Sequence, residues 1–98
     1  MGKEHRYFVY ILASEPYGTL YVGVTSNLTS RVHEHKEDIR AGFTKKYGVH
    51  SLVWFEEFGE IQMAIVREKQ IKKWRRDWKI ELIEKVNPTW SDLFAQVI

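Results

Sequence analysis

A glutamate at position 68 sits where an apolar side chain is expected. In a helix beginning near residue 61, positions 61, 64, 65, 68 and 71 share one face, and the other four are Ile61, Ala64, Ile65 and Ile71. Burying an unpaired carboxylate costs on the order of several kcal/mol. Glu68 therefore needs a bound cation, a basic partner such as Arg31, or a water-filled cleft. Arg31 and His35 lie four residues apart and so on neighbouring positions of one helix face. A guanidinium flanking an apolar stripe can grip a phosphate bidentately. His35 has three roles open to it: binding phosphate, relaying a proton, or sitting satisfied and half-buried. His33 points elsewhere, so no helical His-x-x-x-His metal pair exists. Tyr10 and Tyr21 add two phenols in neighbouring segments, either as structural rings or as a reactive pair.

The elements that must position these groups follow from the pattern of apolar residues. Residues 7–12 and 20–24 are runs of aromatic and β-branched side chains around a turn-rich Ser14-Glu15-Pro16-Tyr17-Gly18-Thr19, which predicts a β-hairpin. Pairing Leu12 with Thr19 puts Tyr10 opposite Tyr21, both on one face. Each strand is apolar on successive residues, so both faces of the sheet should be covered. Thr25-Ser26-Asn27 offers N-caps for a helix over residues 28–40, with Leu28, Val32, His35 and Ile39 in line and Gly42 as its stop. Residues 43–50 read as a basic surface loop or short helix carrying Lys45 and Lys46. A third strand covers 51–58, helix covers 61–85 in two pieces broken near 74–77, and 90–98 form a short closing helix after Asn87-Pro88. The order β-β-α-β-α-α predicts an α+β fold, a small three-stranded, mainly antiparallel sheet flanked by helices.

Composition narrows the class. Ninety-eight residues with 44% hydrophobic side chains suit one folded domain spanning 1–98 and exclude the disordered class. The absence of cysteine rules out disulfides and thiolate metal sites. The N-terminus does not read as a signal peptide, and no apolar run approaches the roughly 18 residues of a membrane span, so a cytoplasmic protein is expected. Net charge is only +2, but Arg67, Lys69, Lys72, Lys73, Arg75, Arg76 and Lys79 face only Glu68 and Asp77 in the same stretch. That block is either a phosphate-binding footprint or a solvated helix face.

Taken together, Phe8-Val9-Tyr10, Tyr21-Val22-Gly23, Arg31 with His35, Glu68 and Asn87 resemble the GIY-YIG nuclease family. The Glu68-Lys-Gln-Ile-Lys-Lys-Trp74 stretch is similar to that of its small stand-alone bacterial members. The resemblance implies a metal-dependent endonuclease with Tyr10, Tyr21, Arg31, His35 and Asn87 as catalytic residues. It further implies one divalent cation on Glu68, Mg²⁺ or its substitute Mn²⁺. The nucleic-acid contacts are expected at Lys45, Lys46, Lys69, Lys72, Lys73 and Arg76, with DNA favoured over RNA. Phe8 replaces the motif's first glycine, and Val24 stands where some members carry lysine, leaving Lys46 as a candidate for that role. No room remains for a recognition domain, so strong sequence specificity would require a homodimer or a protein partner. The alternative is a non-catalytic nucleic-acid-binding module of the same fold.

Overall fold

The computed structural model describes residues 5–39 and 42–98. Strand β1 (Tyr7–Ala13) is the centre of a three-stranded antiparallel sheet, between β2 (Leu20–Thr25) and β3 (Ser51–Phe58). Strand alternation divides the core in two. Val9, Ile11, Ala13 and Val22 face a cluster that includes Ala64 and Ile71 of α3 (Ile61–Lys73) and Ile83 of α4 (Arg76–Val86). Tyr10 and Leu12 face Leu28 and Val32 of α1 (Leu28–Lys36), together with Val49 and Leu52. The sheet is thus covered on both faces, as its apolar strands require.

The hairpin register differs from the expected one by two residues. Leu12 pairs with Tyr21 and Tyr10 with Gly23, because the strands meet at Ala13–Leu20 and the loop between them is closed by Ser14 N–H on the Thr19 carbonyl at 3.0 Å. A slip of two keeps every side chain on its face, so Tyr10 and Tyr21 remain together, now as diagonal neighbours. Across the other edge, Ile11 pairs with Trp54 and Leu12 with Leu52, which leaves Val53 as the extra residue of a bulge. Val53 and Trp54, adjacent in sequence, consequently both enter the α3–α4 core.

Helix α1 stops earlier than expected. Asn27 caps its start, its side chain accepting from Ser30 N–H at 3.0 Å. At the other end Asp38 adopts φ 54°, its N–H bonding the His35 carbonyl while Ile39 N–H bonds that of Glu34. Those two bonds are the helix-ending pattern normally built on a left-handed glycine. Ile39 leaves the apolar line and is 64% exposed; the expected helix end at Arg40 lies outside the described residues. Gly42, read as the helix stop, instead precedes a five-residue helix α2 (Phe43–Tyr47), closed by Gly48 in the left-handed region. Trp74 and Arg75 are extended and separate α3 from α4, where the break was expected. The closing helix shrinks to a 3₁₀ turn, Leu93–Gln96, and Trp90 is a buried residue outside it.

Candidate active site

Tyr10 lies at the middle of the central strand and is completely buried, its ring resting on Gly23. A Cβ at position 23 would come within 2.5 Å of the Tyr10 Cζ and hydroxyl oxygen, so only glycine fits under the ring. The Tyr10 hydroxyl is 3.2 Å from His35 Nε2, and His35 Nδ1 is 2.9 Å from Thr44 Oγ1. His35 and Thr44 are both buried, so a chain of polar groups runs from β1 through α1 to α2 inside the protein. Tyr21 stands beside this chain, its ring 6.3 Å from that of Tyr10 and 5.5 Å from that of His35. Unlike Tyr10 it is only partly buried. Of the two phenols, Tyr21 is the more exposed.

Arg31 lies one helical turn before His35, part-exposed, with Glu34 Oε1 at 3.4 Å. An ion pair of this exposure contributes little stability, so the guanidinium exchanges partners at small cost. Glu68 does occupy a sheltered position, its side chain 13% exposed. Its partner is Lys72, one turn on, with Nζ at 2.7 Å, rather than Arg31. The apolar stripe is real at Ala64 and Ile71, whereas Ile61 at its start is exposed. Helix α3 packs against β1 and β2 from the face opposite Tyr10. The tyrosines and helix α3, which carries Glu68, therefore lie on opposite faces of the sheet, of which β2 is an edge strand.

Other expected site residues have structural tasks. Asn87 is buried, its Nδ2 donating to the carbonyls of Val53 (3.0 Å) and Ser91 (2.9 Å), and its Oδ1 accepting from Ser91 N–H. It ties the end of α4 to the bulge of β3, the strand farthest from Tyr21, and that geometry does not support a place in the chemistry. Arg76 spends its guanidinium on the carbonyls of Tyr17 and Gly18, clamping the β1–β2 loop to α4. Within the same basic run, Arg67 pairs with Glu56 at 3.0 Å and lies over Trp54 and Trp74. Lys69, Lys72 and Lys73 remain exposed on α3, as do Lys45 and Lys46 on α2, where the Lys46 ammonium sits 5.4 Å from the Tyr47 ring centroid.

Thr44 and Phe43 belong to the cluster and carry no motif that marks them in sequence. Phe43 leans on Tyr21, ring centroids 6.1 Å apart. A threonine and an aromatic in a short basic segment lack the periodicity that flags a core position.

Comparison with known proteins agrees with this architecture. Residues 6–81 match the family described as the GIY-YIG catalytic domain. The chain is 40% identical over 76 residues to a UPF0213 protein of Clostridium perfringens, covering 78% of this chain and 81% of that one. It is 32% identical over 80 residues to a UPF0213 protein of Staphylococcus haemolyticus, covering 82% and 96% respectively. The solution NMR structure of a UPF0213 protein from Bacillus halodurans superposes with a TM-score of 0.56 at 25% identity, over 89% of this chain and 92% of the other. A domain match that includes Tyr10, Tyr21, Arg31, His35 and Glu68, with the fold shared with that structural neighbour, places the chain in the GIY-YIG nuclease family.

Proposed function

We propose that the protein is a divalent-metal-dependent endonuclease that hydrolyses phosphodiester bonds, DNA before RNA, with little sequence preference. The observation that carries this reading is the convergence of Tyr10, Tyr21 and His35 on one sheet face, within a domain of this family. Phosphodiester hydrolysis needs an oriented water, neutralisation of the phosphoryl oxygens and support for the leaving oxygen. Tyr21, part-exposed at the edge strand, positions the attacking water and takes part in its deprotonation. An unperturbed phenol has a pKa of about 10 and is a weak base at neutral pH, so Tyr21 acts with the positive charge that substrate binding assembles around it. Arg31 gives up Glu34 and neutralises a non-bridging oxygen. The Tyr10–His35–Thr44 chain holds the floor beneath Tyr21.

The donor set fits a cation site completed by substrate. Mg²⁺ is commonly bound through one or two carboxylates, with waters and phosphate oxygens filling the shell, and Glu68 is a single, part-sheltered carboxylate. Among the described residues no group of three His, Cys, Asp or Glu forms a cage of its own. When bound, the ion would supply positive charge to the phosphoryl and leaving oxygens. Glu68 would hold it in exchange for Lys72, whose ammonium now stands 2.7 Å from the carboxylate. With Lys72 kept on Glu68 and no cation bound, the same surface would serve as a non-catalytic binding module.

The test is a cleavage screen over single-stranded, duplex and branched DNA and RNA with Mg²⁺ or Mn²⁺, repeated in EDTA and with Glu68→Gln. Cleavage by the parent that both EDTA and the substitution abolish is the expected result. Binding with no cleavage of any substrate would make the protein the binding module.

A further inference from the structure

Tyr21 is one member of a longer ladder of rings that runs out to the surface. From the buried His35 the ladder passes to Tyr21 at 5.5 Å, to Phe43 at 6.1 Å and to Tyr47 at 4.8 Å between centroids. Phe43 and Tyr47 are four apart on α2, which places them on one face of that helix. They are 46% and 48% exposed, although apolar rings of this size are usually drawn inward. Their surroundings are cationic. No Asp or Glu occurs between Asp38 and Glu56, while Lys45 and Lys46 lie between the two rings in sequence and are exposed. Exposed aromatic rings on a segment that carries lysines and no carboxylate suit a polyanion carrying flat bases better than an acidic or apolar protein surface.

We propose that Phe43 and Tyr47 form a stacking platform for unpaired bases next to the scissile phosphate, so that the preferred substrate is single-stranded at the cleavage point. This rests on the reading of the Tyr21 face as the phosphodiester site, and adds the substrate class to it. The physical basis is that every base offers a π face, so stacking tolerates any sequence, while Lys45 and Lys46 follow the backbone. A base paired within a duplex has its faces covered by neighbours in the stack and cannot use the platform without being unstacked.

The experiment measures binding in EDTA, by fluorescence anisotropy, of a labelled single strand of about 12 nucleotides and of the matching blunt duplex. Tyr47→Ala and Phe43→Leu should each weaken single-strand binding about tenfold and leave duplex binding unchanged. The dependence of affinity on salt should be unaffected, since stacking releases no counterions. Lys45→Gln with Lys46→Gln should instead flatten the salt dependence for both ligands. Phe43→Leu keeps apolar bulk against Tyr21, and Tyr47→Ala touches an outer ring only, so one variant remains informative if the other fails to fold. Unchanged single-strand affinity, equal losses on both ligands, or a dimer that Tyr47→Ala dissolves would each overturn the platform. A parent protein that binds in the expected pattern yet cleaves nothing with Mg²⁺ would support the platform and remove the nuclease reading, so the two fail separately.

Discussion

Gly23 and Thr44 show what single residues contribute to the tyrosine face. Gly23→Ala would drive a methyl into the Tyr10 ring, where the nearest atoms stand 2.5 Å away, and overpacking of this kind costs about 1–3 kcal/mol. Urea unfolding should show that loss, together with slower cleavage as Tyr10 is displaced. Thr44→Val keeps the shape of the side chain but leaves the buried His35 Nδ1 without its hydroxyl partner, a cost of about 1–3 kcal/mol. Thr44→Ser should recover most of it, and the imidazole ¹⁵N shifts of His35 should move in the valine variant and return with serine. The shared face of Tyr10 and Tyr21 is legible because strand alternation fixes a face even where the register slips by two. Thr44 was not legible, since its partner lies across a turn that no local pattern specifies. The charge of Glu68 against its apolar stripe was readable; its pairing with Lys72 instead of Arg31 was not, because a stripe gives a face and no distance.

At the scale of elements, the strands, the starts of α1 and α3, the end of α4 and the break between α3 and α4 follow from side-chain pattern, and the end of α1 and the closing helix do not. An aspartate in the left-handed region ended α1 where glycine was sought, and His50, with Nε2 2.7 Å from the Asp38 carboxylate, helps to hold that turn. A second carboxylate joins three elements at the far end of the sheet. Asp92 accepts from Leu52 N–H at 3.2 Å and Phe94 N–H at 3.1 Å, and pairs with Lys36. Partial burial works to raise its pKa, but the Lys36 ammonium and the two backbone N–H groups outweigh it and hold the carboxyl below its ordinary value. A carboxyl whose folded pKa is depressed stabilises the fold above its unfolded pKa, about 3.9 for aspartate, and loses that contribution as pH falls through the folded value. Thermal unfolding should therefore show Asp92→Asn destabilised by about 1–2 kcal/mol at neutral pH, the gap to the parent closing below about pH 4. A gap that stayed constant well below that pH would show that the Asp92 charge is not involved. Its place in a basic run points Arg76 to nucleic acid; in the structure it holds a loop, because sequence charge does not distinguish a solvated face from a clamp.

For the whole molecule, the consequential feature is a sheet that carries the candidate site residues on two faces. Helix α1 and strands β1 and β2 provide the tyrosines, His35 and Arg31, and α3 provides Glu68. Ile71→Ala removes a fully buried side chain beneath α3 and should cost about 2–5 kcal/mol, lowering the unfolding midpoint while leaving single-turnover chemistry in the folded fraction nearly unchanged. No helix among the described residues is long and apolar enough to cross a membrane. The account stands most directly on the rate of one chemical step: single-turnover cleavage of a labelled oligonucleotide at saturating protein, with Mg²⁺, by the parent, Tyr21→Phe and Tyr10→Phe. Removing the hydroxyl of the part-exposed Tyr21 should slow cleavage by about 10²–10⁴-fold without loss of binding, and removing that of the buried Tyr10 should slow it less and also lower stability. Cleavage at the parental rate by Tyr21→Phe would contradict the assignment of this face as the active site.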